Sequence, residues 1–288
     1  MNVRLLRTLL FLPLFSVGIA TGQEADSPAP MTAIPPDRLL LPISENRQME
    51  VVVSLPHRYD PDEKYPVLIV TDADPLLGLL KTLNFLWTED GKTEPVILVG
   101  LPFGANADEI WTNRSWYLLP NPIGVVDYYD IKLPVNNGGG APELARFIHD
   151  TVLPEISRRY SIDGDRMGLG GFSMGGLFAA WHFINHPGVF TDYLISAPPL
   201  TRPFTGDAFK ERLNARREAG FDRPTKLYTA YAENDLQQVQ KGVPTWIRAW
   251  QSLDDPNLQF RSQVVANARL DGGAIFALID GFEFLYAK

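Results

Sequence analysis

The sequence predicts an α/β protein with a doubly wound, mostly parallel sheet and helices on both of its faces. Two observations support this prediction. Segments that are apolar at nearly every position alternate with segments of helical periodicity, and strands buried on both faces are typical of parallel sheets. The loops between them are short, which is typical of strands joined through helices. At 288 residues, the chain is long enough to form one large domain of this class.

The N-terminal residues have the pattern of a secretory signal. Arg4 and Arg7 precede an apolar run from Leu9 to about Ala20, and small residues close the run with two possible cleavage sites. The run is short for a membrane span, and a polar, proline-rich stretch follows it. We therefore expect a cleaved signal peptide over residues 1–22, a proline-rich linker over 23–44 and a single domain over 45–288. The mature protein is then expected to be periplasmic or secreted, without a membrane segment.

The composition excludes several classes of function. The formal charge is −8 and the pI is near 5.1, whereas nucleic acids and anionic membrane surfaces attract basic proteins. The chain contains no cysteine, which excludes disulfides, thiolate metal sites and a lipid-modified cysteine. Its four histidines are scattered along the sequence, so we expect no metal site, no cofactor and no nucleic-acid partner. The oligomeric state is left open.

The predicted elements follow in order along the chain. Apolar runs at 49–56, 66–74 and 94–102 predict the first three strands, and residues 76–87 between them have helical character. A helix is predicted over 141–160, with a bend or restart at Pro154. The remaining elements are a strand at 165–173, a helix at 174–186, strands at 192–199, 225–235 and 259–268, and a helix at 272–288. The sequence contains no internal repeat.

A glycine-flanked serine occupies the turn between the strand at 165–173 and the helix that follows it. The stretch "GLGGFSMGG" contains Gly171-x-Ser173-x-Gly175, and a serine in this pattern between a strand and a helix is typical of a nucleophile. The glycines are needed because side chains two residues from the serine would collide where the strand and the helix cross. The helix N-terminus directs its free N–H groups at a developing oxyanion, with Met174 as the expected donor. The alternative is a glycine-rich turn without chemistry.

The chain resembles the putative-esterase branch of the α/β-hydrolases in five blocks: "VVVSLPHRYDPDEKYPVLIVTDAD", "PVILVGLPFG", "FIHDTVLPEISRRYSIDGDRMGLGGFSMGGLFAAWHFINHPGVF", "LYTAYAEND" and "DGGAIFALIDGFEFLY". That branch includes siderophore (enterochelin-type) esterases, feruloyl esterases, S-formylglutathione hydrolases and mycolyltransferases. The resemblance covers about residues 45 to 287. It implies the α/β-hydrolase fold and a small-molecule ester as substrate.

The resemblance also assigns roles to individual residues. Ser173 falls on the nucleophile. Asp235 falls on the carboxylate that follows the family's acid-bearing strand, with Glu233 as the near alternative. The backbone of Ala73 and Asp74 falls on the turn that supplies the second oxyanion N–H group.

The substrate cleft is expected at the segment "NRSWYLLP". Arg114 falls on an arginine that lines the family's cleft, and Tyr117 replaces the acid three residues later, so the local ion pair of the family is expected to be lost. A solvated surface loop is the alternative for Arg114. Trp116 and Tyr117, together with Trp111, are candidates for contacts with an aromatic or acyl substrate, and ordinary packing is the alternative.

No histidine follows residue 186, although the family carries its catalytic histidine shortly before the last helix. That position falls on Asp271, or on Leu270 if the alignment slips by one residue. His182 lies nine residues after Ser173, which is about 13 Å along a helix, whereas a base must approach within about 3 Å. All four histidines are therefore expected in packing or surface positions.

Asp271 is the candidate base that remains. An aspartate has a usual pKa of about 3.9, which is poorly matched to a serine hydroxyl. If Asp235 lies nearby, the two charges repel each other and one of the two pKa values rises. Two hypotheses follow. The protein is either an exported carboxylic-ester hydrolase with impaired activity, or a non-catalytic relative that binds an ester-like or siderophore-like ligand.

Overall fold

The computed structural model describes residues 36–122, 124–200 and 207–288. The predicted signal peptide, residues 1–22, lies outside the described residues, as do residues 23–35 of the predicted linker. No helix within the described ranges is long and apolar enough to cross a membrane.

The centre of the fold is an eight-stranded sheet, accompanied by a two-stranded hairpin. The strands are β1 (Asp37–Ser44), β2 (Arg47–Ser54), β3 (Tyr65–Val70), β4 (Ile97–Gly100), β5 (Gly124–Tyr128), β6 (Ile131–Val135), β7 (Ile162–Phe172), β8 (Asp192–Ser196), β9 (Thr225–Ala232) and β10 (Leu258–Val265). The order in the large sheet is β1-β2-β4-β3-β7-β8-β9-β10. The pairs from β4 to β10 are parallel, and β1 and β2 form an antiparallel edge. The predicted mostly parallel sheet is confirmed.

Helices cover both faces of the sheet, as predicted. They are α1 (Ala73–Glu89), α2 (Ala107–Leu118), α3 (Ala141–Phe147), α4 (Leu153–Arg159), α5 (Met174–Asn185), α6 (Asp207–Ala219), α7 (Gln237–Gln251) and α8 (Leu270–Tyr286). α1 and α8 pack on one face, where Leu80 and Phe282 are buried. α3, α4, α5 and α7 pack on the other face, where Phe178 and Trp246 are buried. This double cover explains why β3 and β4 are apolar and buried along their whole length.

The boundary predicted between linker and domain at residue 44 is wrong, because residues 37–44 form β1. This strand pairs with β2 in an antiparallel register that runs from Asp37 opposite Val53 to Ser44 opposite Arg47. Leu39, Leu41 and Ile43 pack against the core. β1 lies at the edge of the sheet, where Pro42 is tolerated because only one side of the strand needs a complete hydrogen-bond ladder.

The helical segments on either side of the sheet differ from the predictions in detail. The helix predicted at 76–87 begins earlier, at Ala73, because β3 ends at Val70 and only a short turn separates the two elements. The helix predicted over 141–160 is interrupted as expected. A single π-helical turn, Ile148–Val152, separates α3 from α4, and Pro154 lies in the first turn of α4.

Four elements escaped sequence prediction: α2, α6, α7 and the β5–β6 hairpin. In α2 the buried residues Ser115, Tyr117 and Leu118 lie together at one end of the helix, so they do not recur at a helical period. α7 contains Pro244 in its interior, which is unusual for a helix. α2 and the hairpin connect β4 to α3. They follow the carboxyl end of β4, and ligands of open α/β sheets bind outside the carboxyl ends of the strands.

Candidate active site

Ser173 occupies a strained position between β7 and α5. Its backbone angles are φ 56° and ψ −115°, a region that side-chain-bearing residues rarely adopt. Two hydrogen bonds hold this conformation. The Ser173 N–H donates to the Ser196 carbonyl at 2.9 Å, and the Leu177 N–H donates to the Ser173 carbonyl at 2.9 Å. Strain of this kind, supported by its surroundings, is characteristic of functional sites.

The glycines on either side of the serine are required by packing, as the sequence analysis predicted. A methyl group on Gly171 would lie 2.5 Å from Thr71 Oγ1, and a methyl group on Gly175 would lie at the same distance from that oxygen. The methyl group on Gly175 would in addition overlap with Asp72 Oδ2. Only glycine therefore lets the end of β3 approach the serine turn this closely.

Asp72 joins three elements around the serine turn. Its carboxylate is fully buried and accepts the Phe172 N–H at Oδ2 over 2.9 Å. Asp72 Oδ1 accepts a hydrogen bond from Arg114 Nε at 2.8 Å, and Nη2 of the same guanidinium lies 2.7 Å from this oxygen. The carboxylate thus connects the end of β3, helix α2 and the residue that immediately precedes Ser173.

This arrangement corrects the expectation that Arg114 has lost its ion pair. Arg114 keeps one, supplied by Asp72 from 42 residues earlier in the chain instead of by the residue at position 117. Asp72 is a buried charge whose partner is a largely buried guanidinium. The signal that could have indicated this role is the position of Asp72 directly after an entirely buried strand, where a solvated aspartate is unusual.

Ser173 lines a cavity of about 220 Å³. Most of its wall is apolar and comes from Trp111, Leu133, Val135, Phe172, Met174, Pro199, Leu236 and Leu270. The polar side chains in the wall are those of Arg114, Tyr128, Ser173, Gln238 and Asp271. Met174 is the first residue of α5, and the N–H groups of a first helical turn have no partner inside the helix. This wall brings together five residues predicted from sequence: Ser173, Met174, Arg114, Trp111 and Asp271.

The two predicted carboxylates differ in burial, and only Asp271 contributes to the described wall of the Ser173 cavity. Asp271 is in the first turn of α8 and faces the cavity, where it accepts the Tyr128 hydroxyl at 3.4 Å. Asp235 is buried and accepts the N–H groups of Ala232 at 3.0 Å and Leu236 at 2.7 Å. Burial is the main cause that raises the pKa of Asp235; the charge of Asp271 raises it further, and the two backbone hydrogen bonds lower it. Asp271 is therefore the carboxylate exposed to the cavity.

Glu233, the near alternative to Asp235, has a different position. Its side chain is exposed and accepts the Asn267 N–H at 2.7 Å. This contact fastens the end of β9 to the loop that follows β10. Glu233 does not contribute to the described wall of the Ser173 cavity.

Four predicted site residues lie elsewhere. Ala73, Asp74 and Tyr117 line a second cavity of about 830 Å³, and the Trp116 indole donates to Glu143 at 3.4 Å. The Asp74 carboxylate accepts a hydrogen bond from the Phe103 N–H at 3.2 Å. None of these four residues contributes to the described wall of the Ser173 cavity.

For Tyr117, the reason is the orientation of α2, which contributes residues to the described walls of both cavities. Trp111 and Arg114 are three residues apart and face Ser173, whereas Asn113 and Tyr117 are four residues apart and face the second cavity. Residues at these spacings share a face of a helix. The sequence motif alone did not show which of the two faces turns towards the serine.

Three of the four histidines form a cluster away from Ser173. The Nε2 atoms of His149 and His182 lie 2.8 Å apart, and the ring centroids of His182 and His186 are 4.9 Å apart. Burial lowers the pKa of all three side chains, that of His182 most. The fourth, His57, packs against Phe85. No histidine contributes to the described wall of the Ser173 cavity, and no group of three or more potential ligands in the described ranges is arranged to hold a metal ion.

The sequence model of the Putative esterase family matches residues 44–255. The chain belongs to this family. The match begins at the end of β1 and includes the serine turn, Asp72, Arg114 and Asp235. It ends before Asp271.

Two curated proteins are similar in sequence to this Putative esterase family member over part of their length. The chain is 26% identical over 172 residues to the ferri-bacillibactin esterase BesA of Bacillus subtilis, a match that covers 58% of this chain and 60% of that protein. It is 25% identical over 179 residues to the apo-salmochelin esterase of Escherichia coli O6:H1, covering 60% of this chain and 53% of that protein. The matched part is thus under two thirds of each relative's length.

Solved structures agree with the fold of this Putative esterase family member. The BES protein from Bacillus cereus superposes with a TM-score of 0.77 at 19% identity, covering 88% of this chain and 96% of that one. The siderophore hydrolase EstA from Aspergillus nidulans superposes with a TM-score of 0.71 at 14% identity, covering 87% and 93%. At these identities the likeness establishes the fold, and the α/β-hydrolase architecture predicted from sequence is confirmed.

Proposed function

We propose that the protein is an exported carboxylic-ester hydrolase that uses Ser173 as its nucleophile and whose catalysis is impaired. The observation that carries the proposal is the strained Ser173 at the wall of an apolar cavity, whose described residues include Asp271 and no histidine. The two curated relatives are both described as siderophore esterases, which supports ester hydrolysis as the reaction.

In the first half of the reaction, Ser173 Oγ forms a bond to the acyl carbon of the ester. Its proton passes to the Asp271 carboxylate and then to the departing alkoxide, so the alcohol leaves neutral. The Met174 N–H, at the positive end of α5, donates to the oxyanion. In the second half, water attacks the acyl-serine, its proton takes the same route back to Ser173 Oγ, and the carboxylic acid is released.

The weak step is the proton transfer. A carboxylate is a much weaker base than an imidazole at neutral pH, and general-base efficiency follows basicity. In a serine protease, loss of the catalytic histidine costs on the order of a millionfold in kcat, and oxyanion stabilisation with binding retains roughly 10³- to 10⁴-fold over water. We infer that this protein accelerates ester hydrolysis by only roughly 10³- to 10⁴-fold over the uncatalysed reaction in water.

A second candidate function is non-catalytic binding of an ester-like ligand. Its supporting observation is that the Asp271 carboxylate already accepts a hydrogen bond from the Tyr128 hydroxyl at 3.4 Å, so that contact competes with one to Ser173. The same cavity then serves as a binding site only.

Labelling with a fluorophosphonate separates the two candidates. We expect the parent protein to be labelled at Ser173, identified by peptide mass spectrometry, and Ser173→Ala to remain unlabelled. The label reports an activated serine directly. Turnover alone is less decisive, because triad residues act as a unit and the loss of a second member adds little once the first is missing. Absence of labelling in the parent above the Ser173→Ala background would support the binding function and contradict the hydrolase.

Export is supported by the arginines and the apolar run at the N-terminus. Expression of the full-length chain with a C-terminal tag in a bacterial host is expected to yield a shortened protein outside the cytoplasm. N-terminal sequencing should then place its first residue near residue 21 or 23. An intact N-terminus in the cytoplasmic fraction would contradict export.

A further inference from the structure

The β5–β6 hairpin covers the Ser173 cavity with one of its faces. Residues opposite each other in an antiparallel pair point to the same side of the ribbon. Tyr128 lies opposite Ile131 and Gly124 lies opposite Val135, and Leu133 is on the same side of its strand as Ile131 and Val135. Of these, Tyr128, Leu133 and Val135 line the cavity. Ile131 is nearer the tip and 58% exposed. The hairpin therefore forms part of the cavity wall.

Three consecutive residues at the start of α8 fasten this hairpin in place. The Leu270 N–H donates to the Tyr129 hydroxyl at 2.8 Å. The Arg269 guanidinium lies over the Tyr129 ring, 3.6 Å from its centroid. Asp271 accepts the Tyr128 hydroxyl at 3.4 Å. Because the hairpin is attached to the same turn that carries Asp271, the cavity is closed on this side.

The cavity is small, and its described wall offers no unpaired positive charge for an anionic ligand. Its volume is about 220 Å³, below the roughly 300–1,000 Å³ typical of sites for drug-sized ligands. Arg114, the cation in its described wall, is neutralised by the buried Asp72 at 2.7 Å. Asp271 adds a negative charge, which disfavours an anionic acyl group. Most of the remaining wall is apolar, including Trp111, Leu133, Val135, Phe172, Leu236 and Leu270.

We propose that the acyl group bound beside Ser173 is short, uncharged and apolar, and that Leu133 of the hairpin limits its length. This inference rests on the proposed function, since it takes Ser173 as the nucleophile. Each methylene that enters an apolar cavity contributes roughly fourfold to the specificity constant. The gain stops when the cavity is full. For longer acyl chains kcat/KM then falls, because these chains must displace the hairpin.

The test is a chain-length series of p-nitrophenyl esters, together with enterobactin as a large siderophore ester. We expect kcat/KM to rise from acetate to butyrate by about 15-fold and to fall from butyrate to octanoate by about tenfold or more. Enterobactin is expected to be cleaved more slowly than butyrate. Leu133→Ala is expected to bring octanoate within about threefold of butyrate, since it removes three carbon atoms from the wall. Ile131→Ala, in the same strand and outside the described wall, is the matched control and should leave the ratio unchanged.

The outcomes distinguish this inference from the function it rests on. Octanoate or enterobactin turned over faster than butyrate by the parent would overturn the inference and leave the ester hydrolase intact. So would a Leu133→Ala variant with the parent's ratio. If the parent cleaves none of the esters, rates of Ser173 labelling by fluorophosphonates with short and long alkyl chains give the same ratios. A Ser173 that is neither acylated nor labelled would refute the proposed function, and the inference with it.

Discussion

Gly175→Ala is expected to lower the free energy of unfolding by about 3 kcal/mol or more. The added methyl group would overlap with Asp72 Oδ2 and approach Thr71 Oγ1 to 2.5 Å. Overpacking alone typically costs about 1–3 kcal/mol. Asp72 has no free direction in which to move, because its carboxylate holds Arg114 and the Phe172 N–H. Displacing it would break a buried ion pair, at a cost of about 3–5 kcal/mol.

Thermal denaturation measures this effect. For a domain of this size, a loss of 1 kcal/mol lowers Tm by about 2–4 °C, so we expect a fall of about 6 °C or more. The matched control is Gly78→Ala. Gly78 also lies in a helix, α1, and a methyl group there would meet no atom within 4 Å. Because alanine favours helix by about 1 kcal/mol over glycine, this variant should be as stable as the parent or slightly more stable. Equal Tm values for both variants would contradict the contact between Asp72 and the serine turn.

Asp271→His is expected to raise the hydrolysis of p-nitrophenyl esters by about tenfold or more, the lower end of what a positioned general base contributes. Residue 271 faces the cavity that Ser173 lines, so an imidazole there acquires access to the serine hydroxyl. Asp235 lies close enough for its pKa to respond to the charge of Asp271. This buried carboxylate would stabilise the imidazolium that forms when the serine proton is taken. The substitution thus introduces an imidazole base into the cavity wall that Ser173 lines.

The pH profile identifies the cause of the gain. A histidine base is active when neutral, so the rate of Asp271→His should rise through a pKa near or above about 6.5 and then level off. Asp271→Asn is the control for loss of the carboxylate and should show no gain. Asp271→His combined with Ser173→Ala should lose the gain entirely. A rate for Asp271→His equal to that of the parent would mean that residue 271 does not reach the serine hydroxyl.

The general architecture could be predicted because it depends on neighbours in the chain. The apolar run at 66–74 predicted β3, and the bend at Pro154 was visible in the sequence. The edge strand β1 was missed because Pro42 and the preceding prolines look like a linker. An edge strand needs a ladder on one side only, so its own sequence constrains it weakly.

The candidate site was only partly predictable, for a related reason. Ser173 and its flanking glycines could be found because a tight turn demands particular residues at fixed spacing. Trp116 and Tyr117 are candidates for cleft contacts from sequence but do not contribute to the described wall of the Ser173 cavity, because the orientation of a helix whose buried residues gather at one end depends on what it packs against. The hairpin over the cavity gave no signal that was recognised.

The sequence by itself determined the alternation of strands and helices, the serine turn and the absence of any histidine after residue 186. The tertiary structure alone decided that Asp72 pairs with Arg114, that Asp271 rather than Asp235 faces the cavity, and that a hairpin closes it. The physical reason is the separation along the chain of the residues that interact. Turn chemistry and periodicity are properties of adjacent residues, whereas a buried ion pair or a cavity wall exists only when segments far apart in the chain are brought into contact.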